Sequence, residues 1–406
     1  MAVEGERVSL DLTKIATQAS AMVARLKEGR AERQQRLHYA RQIFGDEAID
    51  LDKLRKKIAA SRTTWLVAEL TDGLAKRYPA PPIPADFNVI ATDGSHIDVD
   101  RHRATRCYLI NIGAVTLSYG DEPDAVLDST PHLYAEDEDL VIKPSAATGR
   151  EQMVEGTLLG IKRAVEECRH LSLLAGEQLP GSTTLALLDG TLILWGLEAY
   201  PDFVAEIMLG QGFLTCLEEI KKLNRDRRVA LASYISFPRS TDVVNVLRVA
   251  ICPHEVSDCD RFCPPPENRD CEGVAGVTDR ELFMDALEPG ERSALFISPS
   301  KITKERYGEH RIYFCYLRLE EEVARVEVPR WVAENAELID IVHSLVLDQC
   351  RRGHGYPVAL SEAHEQAVVT GADRAEFWQF VESLYVEEKI PTLTSAKSFS
   401  KRTRWV

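Results

Sequence analysis

Two stretches of this chain run from apolar residues into Asp-Gly and a hydroxyl side chain: NVIATDGSH at 88–96 and TLALLDGTL at 184–192. A short, unbroken apolar run closed by a turn signal reads as a strand covered on both faces, which points to an α/β fold with a mixed sheet and helices on both faces. An aspartate ending such a strand puts its carboxylate at the edge of the sheet. The Gly and Ser/Thr that follow let the backbone turn without filling the space in front of it. Asp-Gly is also a strong hairpin signal, but a hairpin resumes its alternation at once. The second motif continues as LILWGLEAY, apolar without alternation. Two such carboxylates on neighbouring strands would converge.

Around these motifs the chain divides into two parts. Residues 10–78 carry a helical apolar spacing that includes Leu26, Leu37, Ile43, Leu54 and Ile58, with Arg30, Arg33 and Arg36 expected on the outer side of the helix. This predicts an N-terminal α-helical arm, closed by the proline-rich stretch YPAPPIPADF at 78–87. The arm and linker occupy 1–84 and a catalytic domain 85–406, the latter with a cysteine-rich insertion at 252–271. Strands are expected at 88–92, 107–118, 184–188, 228–237, 294–298 and 312–318, and helices at 150–175, 200–224, 241–250, 332–353 and 372–389.

The chemistry available to two strand-end aspartates is limited. Phosphatases of the haloacid-dehalogenase type carry a nucleophilic Asp two residues before the second Asp, but those places hold Ala91 and Leu187, which cannot attack phosphate. Aspartates without a nucleophile still suit hard divalent cations, and paired ions between carboxylates stabilise both the attacking and the leaving oxygen of a phosphodiester. A third carboxylate is expected from the helix before the second motif. Its buried stripe is Leu158, Ile161, Val165, Cys168 and Leu171, with Glu167 and Glu166 beside it and Glu155 and Glu151 as earlier alternatives. Near the C-terminus, HGYPVALSEAHEQAV fixes Tyr356 between Gly355 and Pro357, and places His364 at the expected start of a helix.

A net charge of −15 argues against a surface that coats nucleic acid electrostatically, though it leaves room for a local basic groove. Basic clusters occur at 25–41, 101–106 and 397–404. No apolar stretch reaches the roughly 20 residues of a membrane span, and the N-terminus lacks a basic-then-apolar signal pattern. A cytoplasmic protein without membrane contact is expected. Cys252, Cys259, Cys263 and Cys271 crowd into 20 residues of proline-rich text without a Cys-x-x-Cys knuckle. Two readings stand: a structural zinc or iron–sulfur site, or incidental free thiols.

Taken in order, the Asp-Gly-Ser strand, the helical glutamate, Asp-Gly-Thr-Leu, YISFPRS at 234–240 and the terminal GYPVALSEAHE resemble the NurA family of DNA-repair nucleases over about residues 85–406. The resemblance implies a ribonuclease-H-like core and manganese-dependent (or magnesium-dependent) 5′-to-3′ nuclease activity on DNA. It also implies a homodimer and partnership with the hexameric HerA ATPase. It assigns Asp93, Glu167 and Asp189 as metal-binding carboxylates, with Tyr356 and His364 completing the site and His364 a further ligand. Where the family often has a lysine after the YIS strand, this chain has Arg239, whose guanidinium fork suits a substrate phosphate. A catalytically silent adaptor of a DNA-translocating ATPase on the same fold is the competing reading.

Overall fold

A computed structural model describes residues 12–99, 106–144, 150–263 and 269–389. The expected basic cluster at 397–404, and residues 101–105 of the one at 101–106, lie outside the described residues. The chain forms two compact units: one from the described residues of 1–69 with 239–286, the other from 70–238 with the described residues of 287–406.

The larger unit is built on a mixed sheet. Its centre consists of β1 (Phe87–Ile97), β2 (Tyr108–Tyr119), β3 (Asp124–Tyr134), β4 (Thr183–Asp189) and β5 (Arg228–Ile235), in the order β3-β2-β1-β4-β5. The strands β1, β4 and β5 run parallel, while β2 is antiparallel to both of its neighbours. Beyond β5 the sheet continues antiparallel through β7 (Val323–Pro329) and β6 (Ile312–Arg318). Neither β3 nor β7 is anticipated by the sequence. The reasons are opposite: β3 is exposed along nearly its whole length and has no apolar alternation, whereas β7 is buried throughout but has Arg325 and Glu327 in its apolar text.

Successive side chains of a strand point to opposite faces, so the contacts of β1 show what covers each side. Thr92 Oγ1 donates to the carbonyl of Glu167 in helix α1 (Thr157–Glu177). The next-but-two residue, Ser95, donates to the carbonyl of Ala367 in α3 (Val358–Ala367), which follows the deeply buried α2 (Ala336–Arg352). Helices therefore cover both faces, and the core lies between them and the sheet. This is the ribonuclease-H-like α/β architecture. Helix α1 begins at Thr157, not at 150, because Gln152–Met153 pairs as a short strand with Val141–Ile142. The expected helix over 200–224 is interrupted by a widened π-helical stretch at Glu206–Phe213.

In the smaller unit the helices Leu12–Glu28, Arg30–Phe44 and Leu51–Ala60 account for the expected arm, but helix does not extend to residue 78. The segment after Ser61 is held extended instead: Ala68 N–H donates to the carbonyl of Asp242, Asn245 Nδ2 donates to that of Leu66, and Arg248 stacks over Trp65 at 4.3 Å. Arg30 and Arg33 are exposed as expected, Arg33 pairing with Glu281 at 2.7 Å, whereas Arg36 is part-buried and donates to the carbonyl of Ala275. Leu54, Ile58, Ile43 and Ala40 are buried, but the first helix buries no residue at all. Exposed Arg239 opens the second segment of this unit.

In the cysteine-rich stretch Cys259 and Cys271 are buried, in a short helical turn at Cys259–Phe262 and a 3₁₀ turn at Asp270–Val274. Desolvation raises the thiols of Cys259 and Cys263 above the ordinary range, with Cys271 near both and Cys252 near Cys263.

A candidate active site on two parallel strands

The register of β1 and β4 brings the two aspartates together. Their parallel pairing runs to Thr92 opposite Leu188, which leaves Asp93 and Asp189 one step further on, side by side at the ends of neighbouring strands and on the same face. The two Asp-Gly motifs act differently here. Asp189 closes β4 and Gly190 turns with a φ of +82°, as expected of a strand end. At Asp93, by contrast, β1 does not turn. It continues through Gly94 and Ser95 to Ile97, paired with β2 all the way. The carboxylate is still at an edge, because β4, not β1, ends there.

What Gly94 supplies is space. A Cβ at this position would lie 2.6 Å from Glu167 Oε1 and 2.9 Å from Arg163 Cγ, so only glycine lets the helical glutamate reach past the strand. Glu167 is 9% exposed, and neither Asp93 nor Asp189 neutralises it. Burial, reinforced by the charges of both aspartates and opposed by Arg163, pushes its carboxyl up to about 8. Arg163 Nε stands 3.0 Å from Glu167 Oε1, but its N–H is not aimed at that oxygen; the contact is ionic, and both atoms are buried without a hydrogen-bond partner. Among the four glutamates weighed from sequence, Glu167 is the one electrostatically joined to Asp93 and Asp189. Glu166 points elsewhere and is held by Lys162 at 2.7 Å and Arg169 at 3.6 Å, and Glu151 faces Lys143 at 3.7 Å.

Helix α3 delivers the remaining groups. A Cβ on Gly113, the β2 partner of Asp93, would meet the carbonyl oxygen of Ala363 at 2.1 Å, so the helix lies directly on the strand. That approach sets His364 Nδ1 2.7 Å from Asp93 Oδ2. His364 stands in the last turn of α3, not at the start of a helix, since Pro357 caps the helix and begins it earlier. Its side chain is 63% exposed, against 16% for Asp93, so it looks outward from the site. Tyr356 donates a hydrogen bond to Asp189 and packs edge-on against buried Tyr234 at 5.5 Å. Burial, followed by the neighbouring Asp189, raises the Tyr356 hydroxyl above the ordinary range, so it stays a donor. Burial likewise raises Asp189, against the opposing hydrogen bond from Tyr356.

The loop after Asp189 is braced from beneath by a buried residue with no counterpart in the sequence reading. Glu327 of β7 accepts from Thr191 Oγ1 at 2.7 Å and from the N–H of Leu192 at 3.0 Å, while Arg325 donates to its other oxygen at 3.0 Å. A charge pair spaced two apart within the apolar text VARVEVP was the available signal.

A model matching the NurA domain covers residues 87–369, well over half of the chain. The chain belongs to the NurA family. NurA proteins are nucleases of DNA repair, and the matched span contains all five residues gathered here, Asp93, Glu167, Asp189, Tyr356 and His364. No curated protein and no solved structure matched. Among the described residues of this NurA chain, no helix is long and apolar enough to cross a membrane, and no three His, Cys, Asp or Glu side chains already converge on a point that could hold an ion. Glu167 leans on Arg163, and Asp93 on His364. The donor set nonetheless fits a hard cation: it is mainly oxygen, and an unsatisfied, buried Glu167 oxygen close to two like charges is an environment that a divalent ion relieves.

Proposed function

We propose that this chain is a metal-dependent deoxyribonuclease that cleaves DNA 5′-to-3′ at broken ends, with accompanying endonuclease activity on single strands. The observation that carries the reading is the buried Glu167 carboxyl, one oxygen of which has no well-aligned hydrogen bond, set within electrostatic reach of Asp93 and Asp189. Asp93, Glu167 and Asp189, with His364, would hold manganese or magnesium ions, which supply positive charge facing the phosphodiester.

The chain's own groups do the rest. Tyr356 fixes the rotamer of Asp189 through its hydroxyl, and Glu327 holds the loop that follows. His364 holds Asp93 from the solvent side, with a ring exposed enough to meet the strand being cut. Burial of Glu167 keeps its carboxyl protonated near neutral pH when nothing positive faces it, and ready to ionise when something does.

The family placement supports DNA as the partner, and we extend it to a homodimer in the cytoplasm working with a HerA-like hexameric ATPase. The first helix fits an assembly role: Leu12, Met22, Val23 and Leu26 are all exposed along an amphipathic helix that buries nothing of its own. The test is degradation of end-labelled single-stranded DNA across a manganese titration. A chain of this function digests the DNA only with metal, and loses that activity when Asp93 or Asp189 is replaced. Metal-independent digestion, or none at any metal concentration, would refute it.

A further inference from the structure

The sequence points to Arg239 for the substrate phosphate; the helix that supplies Glu167 carries a further candidate. Arg163 precedes Glu167 by one helical turn, and its Cγ packs where Gly94 leaves room beside the strand. Its side chain is 35% exposed, so the stem is held while the fork faces outward. Its Nε is buried and makes no well-aligned hydrogen bond. Its one close partner is Glu167 Oε1, met ionically and off-axis.

A guanidinium held in place by its stem, partly exposed and beside the three carboxylates, has the fork geometry that suits a phosphate. The geometry points to Arg163 as the residue that binds the phosphate of the DNA strand being cut. The assignment rests on the proposed nuclease reading. It adds that recognition of the backbone comes from the same helix as the third carboxylate, one turn away, so that Arg163 changes partner from Glu167 to the phosphate when Glu167 turns to a cation. His96, on the same face of β1 as Gly94, is held below the ordinary histidine range chiefly by burial, with Arg163 and Arg374 lowering it further against Asp98.

The test uses the full chain carrying Asp189→Asn, so that bound DNA is not consumed, and measures its affinity for a short single-stranded oligonucleotide as a function of salt. Each phosphate contact on a single strand contributes about 0.7 to the slope of log K against log salt. Arg163→Gln keeps the stem and removes the charge; it should lower the slope by about that much and weaken binding about 10-fold to 100-fold at low salt. Arg163→Lys should restore the slope but only part of the affinity, because it keeps the charge and loses the fork. If Arg163 only positions Glu167, neither slope nor DNA affinity moves and the affinity for manganese falls instead; that result overturns the assignment. The two readings fail separately. A slope change on Arg163→Gln, with a wild-type chain that does not cleave, leaves the phosphate seat standing and removes the nuclease, whereas a cleaving wild type with an unchanged slope removes only the seat.

Discussion

Replacing Glu167 by Gln should make the metal-free protein more stable, increasingly so as pH rises. The unfolded chain ionises Glu167 near the ordinary value of 4.5, but in the fold burial and the two aspartates hold it protonated up to about 8. Between those values the native state binds more protons than the unfolded one, so stability contributed by this group is present at low pH and lost as pH rises through 8. At about 1.4 kcal/mol per pH unit, the wild type should lose on the order of 3 kcal/mol between pH 5 and pH 8 that Glu167→Gln, which cannot ionise, retains. The assay is denaturant unfolding of both proteins with chelator present, at half-unit steps across that range. Manganese should reverse the order, because a cation that binds the native carboxylates stabilises only the protein that has all three; at a hundredfold excess over its dissociation constant the gain is about 2.7 kcal/mol. Parallel pH curves for the two proteins in chelator would show that Glu167 does not carry the burial penalty on which the site rests.

Further outcomes follow from the same geometry. Asp93→Ala and Asp189→Ala should each abolish DNA cleavage while leaving circular dichroism unchanged, and activity in either would displace the site from these strands. Two glycines should separate function from stability: Gly94→Ala collides with the movable side chains of Glu167 and Arg163 and should give a folded protein with at least 10-fold lower turnover, whereas Gly113→Ala collides with the backbone of Ala363 and should unfold at markedly lower temperature. Glu327→Ala removes the buried carboxylate that pairs with Arg325 and holds the loop after Asp189, and should cost on the order of 3–5 kcal/mol in urea unfolding. Removing residues 1–29 should leave the melting temperature within a degree or two, since the helix Leu12–Glu28 buries nothing, yet abolish dimerisation in light scattering; a truncated dimer would assign that helix another role.

Much of the central sheet was legible because its strands obey the simplest code. Residues 185–188 and 229–232 are apolar without interruption because both faces are covered, and the Asp that ends the first run must stand at an edge. The choice of Glu167 was not legible from periodicity, since Glu166 and Glu167 are both buried on α1; what separates them is the missing side chain at Gly94 on one side and the cations Lys162 and Arg169 on the other. Where the reading failed, the cause was tertiary. An extended β1 passes through Asp-Gly because β2 pairs with it along its whole length, and no local propensity contains that information. The stretch after Ser61 has helical spacing but is drawn out by anchors on residues 242–248, far away in sequence. Charged β7 and exposed β3 are strands because the sheet needs them, not because their sequences announce it.

The central claim is that Asp93, Glu167 and Asp189 form one cation-dependent centre for cutting DNA. Its most direct test is a manganese titration of wild type and Asp189→Asn, following release of labelled nucleotides from single-stranded DNA. The wild type should release nucleotides saturably with manganese, and the variant should release none at any metal concentration. Equal release by the two proteins, or release by the wild type in chelator, would contradict it.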